Sequence, residues 1–514
     1  MKTIFVFFLS LISLPAMVKE RNTLVFSEEK TIYEINKDYD LKGKTISIPA
    51  GCTLKYKGGV IKNGTLKGNG TSIDADYQQL FGTNLRLLGD WKVEAWIPEW
   101  FGAKGEKGIK DTQALQCSLD AAKETKTKVV KLLGKTYYID APLKVYPYTS
   151  LIGSEQTASW LYATQIMPIE GVDAIRLIPS EKEGRSTSVT LKNLIIRNGT
   201  DTYYSNSGIF IGDNTKQYGV SKLRLDNVQI LYFDYGVKAD LYGNSPFSDC
   251  YFFNVECAHN NIGFCVDGHF EGGNNGHKVW MNVNRFEFCR FSENRTGGIF
   301  VHNVWMFLNN VFDQCTIEGN GKDYNLSLYN KYGVFGAKFA NKYTPVTGGN
   351  AFQNCYFEIN LPKRKGDAVE KSEYKYGDYI YPEGFTESKM VGNIFLQQHD
   401  FNFSNCISSR NKCFVLLNDN SHVSITGTII YDLEKVTKTD SKRYFIEFND
   451  AYVPSSVNTE RNHFNISKGN TLHYFHFIAT PKGGESRYTI RKDDLDDGGK
   501  VQLDNMPVRQ LLKQ

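Results

Sequence analysis

Two carboxylates, an imidazole and an ammonium recur at matching places in a set of similar short segments. Five segments open on a glycine and continue with alternating apolar residues: Gly208-Ile-Phe-Ile, Gly236-Val-Lys-Ala-Asp240, Gly263-Phe-Cys-Val-Asp267, Gly298-Ile-Phe-Val-His302 and Gly333-Val-Phe-Gly. Read as strands, positions one and three beyond the glycine face one way, and positions two and four the other. Position two then carries Phe210, Lys238, Cys265, Phe300 and Phe335; position four carries Gly212, Asp240, Asp267, His302 and Ala337. If the segments are successive rungs, about 4.8 Å apart, Asp240 and Asp267 are neighbours, with His302 one rung on and Lys238 on the same face. Two carboxylates about 5 Å apart match the nucleophile and acid of a retaining glycosidase, or a pair gripping one water. Crowding of like charges raises one pKa, which a general acid needs. Phe210, Phe300 and Phe335, exposed along that face, would pack against the C–H faces of sugar rings. The competing reading is that an outward strand face is polar in any case.

Directly after Asp267 comes Gly268-His-Phe-Glu-Gly-Gly-Asn-Asn-Gly-His-Lys-Val-Trp280, whose glycines and asparagines suit a mobile loop over a groove. It would bring His269, His277 and Lys278 to a substrate and Glu271 as a reserve acid or base. The two histidines lack metal-ligand spacing, so no metal site is expected from them. A second insertion, Leu361 to Lys389, reads as a charged solvated flap, with Tyr374, Tyr376, Tyr379 and Tyr381 as the alternative lining of a glycan path. Glu318 and Glu358 read as surface carboxylates of another face.

A stack of coils must position these groups. One pattern returns as Leu191-Lys-Asn-Leu-Ile-Ile196, Leu225-Asp-Asn-Val-Gln-Ile230, Phe247-Ser-Asp-Cys-Tyr-Phe252, Phe286-Glu-Phe-Cys-Arg-Phe291, Phe312-Asp-Gln-Cys-Thr-Ile317, Phe352-Gln-Asn-Cys-Tyr-Phe357 and Phe403-Ser-Asn-Cys-Ile-Ser408. Copies start 22 to 51 residues apart, so each is one coil separated from the next by loops of varied length. Within a strand, inward side chains sit two apart, yet the first apolar residue and the Cys position are three apart. A bend must reverse the parity. Asn193, Asn227, Asp249, Gln314, Asn354 and Asn405 precede the Cys position, and such residues tolerate the left-handed backbone. Stacking would ladder these amides and bury Cys250, Cys289, Cys315, Cys355 and Cys406 just inside as small hydrophobes. Unpaired thiols are expected there, with a disulfide between neighbouring rungs as the alternative. Together with the glycine-led strand this predicts three parallel strands per coil.

Towards the N-terminus, Thr45-Ile-Ser-Ile48, Gly59-Val-Ile61 and Gly64-Thr-Leu66 read as early coils or a small β region. One convincing helix follows at Asp111 to Lys123: Asp111 can cap it, and Leu115, Leu119 and Ala122 share a face that would cover the open end of the stack. Lys2, the apolar run Ile4 to Leu14 and Pro15-Ala16 read as a removable export signal. The expected organisation is a signal peptide over 1–16, an N-terminal β region over 22–97, a β-helix over 98–430 and a C-terminal β region or cap over 431–514.

Sixty basic and 56 acidic residues leave a net charge of +4, which gives no argument for a nucleic-acid partner or a membrane surface. No later apolar run is long enough for a membrane span. Ten Cys in an exported chain would ordinarily mean disulfides, but their place in the repeat argues for burial instead.

The segment Trp100-Phe-Gly-Ala-Lys-Gly-Glu-Lys-Gly-Ile-Lys-Asp-Thr-Gln-Ala-Leu-Gln116 resembles the entry of the pectate-lyase superfamily, "FGAKGDGVTDDTxAIQ", with Glu106 and Lys110 replacing two usual Asp residues. With the Asn-bend coils, the resemblance covers roughly residues 98 to 430. It implies an all-β, right-handed single-stranded parallel β-helix with an N-terminal capping helix. The fold hosts hydrolases, lyases, epimerases and binders alike. The polygalacturonase hallmarks (an Asp-Asp pair, Gly-His-Gly and Arg-Ile-Lys) are missing, so no catalytic residue is carried over. The expectation is therefore an exported protein acting on a polysaccharide or oligosaccharide. The first form is a cofactor-free glycoside hydrolase centred on Asp240, Asp267 and His302. The second is a lyase in which Lys238 or His302 abstracts the proton beside a uronate, with a cation or Ca²⁺ neutralising charge. The third is a non-catalytic glycan-binding β-helix.

Overall fold

Left-handed residues, five positions apart, set the cross-section of every central coil. Lys222, Asn227 and Tyr232 have φ near +55° to +67°, and so do Asp249, Asn254 and His259, then Val283, Phe288 and Glu293, then Asn309, Gln314 and Gly319. Each turns the chain through a corner without breaking the inward-outward alternation of the short strands between corners. The structure, a computed structural model, describes residues 24–154, 163–169, 171–199, 206–269, 279–295, 297–302, 304–320, 324–329, 346–358, 394–397, 400–409, 413–418, 421–432, 442–449, 455–466, 471–479, 487–491, 501–502 and 511–513.

All strand pairings between coils are parallel, and successive strands of one wall lie a full coil apart in sequence. The chain is a parallel β-helix. Its central coils have four walls, one more than the sequence pattern predicts. Short strands such as Pro246–Ser248 and Trp280–Asn282 form the first wall. The two halves of Tyr251–Ala258, folded at Asn254, belong to the second and third walls. The fourth is the glycine-led wall, where Ser207–Gln217, Tyr235–Tyr242, Ile262–His269, Gly297–His302 and Tyr324–Tyr329 pair in sequence. Stacking continues past residue 430: Lys442–Asn449 and Thr471–Ala479 extend the fourth wall, and Ser456–Glu460 and His463–Ile466 the second and third.

The residue after a corner points inward, and where it is Asn or Cys it holds adjacent coils in register. After the first corner this is Asn284, Asn310 and Asn350. Their Nδ2 groups donate to the carbonyls of Phe247, Met281 and Phe307 at 2.9, 2.9 and 2.8 Å, and each of the first two also donates to the next amide oxygen. After the third corner Asn260, Asn294 and Asn320 donate in the same way to Ile230, Cys257 and Phe291. The middle corner uses thiols: Cys289, Cys315, Cys355 and Cys406 donate Sγ to the carbonyls of Phe252, Phe286, Phe312 and Phe352 at 3.3–3.5 Å. Alongside them Phe252, Phe286, Phe312 and Phe352 stack with ring centroids 4.4–4.6 Å apart.

Asp249 and Cys250 do not belong to the middle column. Asn254 is the middle corner of that coil, with its Nδ2 donating to Asn227, which donates in turn to Asn193. Asp249 turns the first corner instead, and the backbone N–H of Cys250 is held by Asn284. The pattern of apolar, corner and small residue repeats at consecutive corners, so one string fits two of them. Nine cysteines of the described residues are free thiols, and burial pushes those of Cys250 and Cys257 well up.

Parallel pairings among Ile32–Ile35, Thr45–Ser47, Thr53–Tyr56, Gly64–Asp74 and Leu85–Lys92 make the N-terminal part a set of coils too. The helix, Thr112–Glu124, packs between Leu85–Lys92 and the strands Val129–Lys131 and Leu143–Val145, burying Leu115, Leu119 and Ala122. It thus sits where N-terminal coils meet the main stack. Asp111 occupies the cap position without capping: its carboxylate accepts the amides of Lys104 and Gly105, closing the preceding loop.

Asn310→Ala orphans the buried Met281 carbonyl and the Asn284 side-chain N–H, each worth about 1–3 kcal/mol when left unmade. We expect a loss of roughly 2–4 kcal/mol in denaturant unfolding, and only about 1 kcal/mol for Asn354→Ala at an outer corner. An aqueous thiol reagent is expected to leave the cysteines of the middle column unmodified until the protein unfolds, which an absorbance assay with and without denaturant checks.

Candidate active site

The fourth wall brings the central group together. Gly212, Asp240, Asp267 and His302 are in direct register on four successive rungs, and Phe210, Lys238, Cys265 and Phe300 form the column two residues earlier. Rungs of parallel strands lie about 4.8 Å apart, so the Asp240 and Asp267 side chains leave the same face side by side. The next rung is Tyr324–Tyr329, which puts Ser327 and Tyr329 where the sequence reading put Phe335 and Ala337. Phe335 and Ala337 lie outside the described residues, as do Glu271, His277 and Lys278. His269 is the last residue of strand Ile262–His269, in register with Tyr242, rather than part of a loop.

This wall is not an open surface. Asp240 is 8% exposed and His302 4%; Phe210, Cys265 and Phe300 are buried, whereas Asp267 and Lys238 are half-buried. The phenylalanines accordingly do not form an exposed sugar platform. Phe300 packs with Ile262, Cys265 and Tyr235, and its ring lies 5.4 Å from that of His302. Phe210 lies under the Arg176 guanidinium at 5.1 Å, and Arg176 pairs with Asp173 at 2.8 Å. The Lys238 ammonium sits 4.5 Å over the Tyr235 ring, a cation–π contact that holds it on the face beside the carboxylates.

Burial governs the electrostatics. It lowers the His302 pKa from 6.5 to about 3, so the imidazole is neutral across the physiological range. Tyr242, two residues beyond Asp240 on the same face, has its hydroxyl pKa raised by burial and by the Asp240 and Asp267 carboxylates. Sequence reasoning stopped at position four and missed it; continuing the alternation to position six finds both Tyr242 and His269. Asp234, also missed, is buried at the third corner, where it accepts the Asn261 side chain at 2.8 Å. Burial raises its pKa, while the Asn261 hydrogen bond and then the Lys238 charge oppose the rise.

Ca²⁺ needs six to eight oxygen ligands. Beside Asp240 and Asp267 the described side chains are an ammonium, an imidazole and a phenol, and no group of three metal-ligating side chains occurs among the described residues. Among the described side chains, the oxygens offered to a cation here are those of two carboxylates and one phenol. Glu318 and Glu358 lie side by side on the third wall, where Arg290 pairs with Glu318 and Tyr356 donates to Glu358 at 2.7 Å. No helix among the described residues is long and apolar enough to cross a membrane.

Because the folded state refuses a proton at His302 that the unfolded chain accepts, stability is fully present above pH 6.5. It falls as the pH drops through 6.5 towards about 3. Melting temperatures at about pH 7 and about pH 4.5 are expected to differ less in His302→Gln than in the parent, and an equal difference removes His302 as the source.

No protein-family model matches the sequence, and no curated protein matches it significantly. Among solved structures, it is similar to the gp42 tailspike of an Acinetobacter phage, with 10% identity and a TM-score of 0.40 over 82% of this chain and 63% of that one. It is also similar to the A-module of the Azotobacter vinelandii mannuronan C-5 epimerase AlgE6, with 13% identity and a TM-score of 0.34 over 75% of this chain and 100% of that one. Pectate lyase Pel9A matches with 10% identity and a TM-score of 0.31 over 68% and 70% of the respective chains. The chain thus spans less than two thirds of the tailspike. Likenesses at this level say nothing about which residues act.

Proposed function

We propose that the protein cleaves glycosidic bonds of a polysaccharide at the fourth wall, with Asp240 and Asp267 as the reacting pair. The observation that carries this reading is their direct register on adjacent rungs, with Lys238, Tyr242 and His302 around them. Asp267, the more accessible of the two, is placed to attack the anomeric carbon. Asp240, more deeply set, gives its proton to the departing glycosidic oxygen and then takes one from the water that releases the sugar. Lys238 lies on the same face as the pair, and neutral His302 serves as a hydrogen-bonding partner rather than an acid.

The lowered pKa of His302 speaks against it as the base of a β-elimination and leaves that role, in the lyase reading, to Lys238. A base near pKa 3 is a poor acceptor for the proton beside a uronate carboxylate. Polysaccharides are bound here through polar groups at Asp267, Lys238 and Tyr242, since the buried phenylalanines offer no ring face.

Incubation with a panel of neutral and acidic polysaccharides, followed by reducing-end release, tests the reading. Asp267→Ala and Asp240→Ala are each expected to lower turnover roughly 10³-fold while the circular dichroism spectrum is retained. Ultraviolet absorbance from an unsaturated product would instead identify a lyase. Full activity in a folded double variant would remove this pair from the chemistry, and no product from any polymer would leave only a binding protein.

A further inference from the structure

Corner residues of the middle column are Asn193, Asn227, Asn254, Gln314, Asn354 and Asn405, all types that accept the left-handed backbone, save in one coil. There the corner is Phe288, at φ +54° and 49% exposed, and the first corner of the same coil is Val283, at φ +58° and 53% exposed. A β-branched and an aromatic side chain are poorly suited to this conformation, and both are only half covered. The two residues frame the strand Arg285–Glu287, whose outward side chains pair with each other at 2.6 Å.

The preceding rung completes a patch. Tyr251 is in register with Arg285, and Phe253 with Glu287. The Phe253 and Phe288 rings meet edge to face at 5.7 Å, and Tyr251 and Phe253 lie nearly parallel at 6.3 Å. The Tyr251 hydroxyl donates to Glu287 at 2.6 Å, and Arg224 covers the Tyr251 ring at 5.1 Å while pairing with Asp226. Half-exposed rings next to fixed, mutually neutralised hydrogen-bonding groups are what the C–H face and hydroxyls of an uncharged sugar require.

We infer that Tyr251, Phe253 and Phe288, with Arg285 and Glu287, form a second, non-catalytic binding site for a neutral glycan on the second wall. It shares the ligand class with the function proposed above but none of its residues. Arg224 and Lys192 share Asp226 and Arg285 pairs with Glu287, so each charge at the patch is met within it and neutral glycans are the expected ligands. The left-handed corner at Phe288 keeps its ring on the outer face beside Phe253.

Affinity electrophoresis through gels containing xylan, hydroxyethyl cellulose, laminarin or polygalacturonate tests this. The parent protein is expected to be retarded by at least one neutral polymer and not by polygalacturonate. Phe288→Asn restores the residue type of the other corners, so it should remain folded, melt no lower than the parent and lose the retardation, while Phe288→Tyr retains it. Asp267→Ala should be retarded like the parent even when hydrolysis is abolished, which separates this site from the reaction centre. Absence of retardation of the parent in every neutral gel, or retardation of Phe288→Asn equal to the parent, overturns the inference.

Discussion

Register between the middle coils rests on one recurring interaction: an asparagine or cysteine just inside a corner donates to a main-chain carbonyl of the coil before it. In two columns the donor is an asparagine, in the third a cysteine. A parallel stack has no hairpin to pin one strand against the next, and every inward residue resembles every other. A slip would leave buried amides and carbonyls without partners, which is costly in a dry core. The aromatic column fills space, while the amide and thiol columns decide which residue lies beside which.

The site depends on that register. Asp240, Asp267 and His302 are separated by 27 and 35 residues and have no local reason to meet. They meet because the strands that begin around Gly236, Gly263 and Gly298 pair in register. At Gly236 an added Cβ would lie 2.4 Å from the carbonyl oxygen of Gly263, and at Gly263 2.6 Å from that of Gly298, so rung spacing at this edge depends on the missing side chain. Burial of the wall then shapes its chemistry, holding His302 neutral and reserving the accessible edge for Asp267, Lys238 and Tyr242.

Much of this was legible from local pattern. The parity break before Cys289, Cys315, Cys355 and Cys406 announced a left-handed corner, and the glycine-led strands gave the Asp240, Asp267 and His302 register directly. What failed was phase and cover. Cys250 follows the same string of residue types as the others but sits one corner away, because corners recur every five residues and each satisfies the motif. The signal that would have separated them was present: Asn284, Asn310 and Asn350 each stand two residues before the phenylalanine of a repeat, marking the first corner. Exposure of the wall was not legible, since periodicity reports which way a side chain points and not what else packs over it. Phe210 and Phe300 point outward and are nonetheless buried.

The three corners per coil also partition the chain into a rigid arc and a free one. From Asp249 to His259, or from Asn309 to Gly319, the contour length is fixed, whereas the path from the third corner through the fourth wall to the next first corner varies, as His259 to Val283 and Glu293 to Asn309 illustrate. Insertions can therefore accumulate along one seam without disturbing the stack. That seam borders the edge bearing Tyr242 and His269. Variation in ligand preference can thus arise by lengthening or shortening these returns, leaving stability and the reacting carboxylates under separate control.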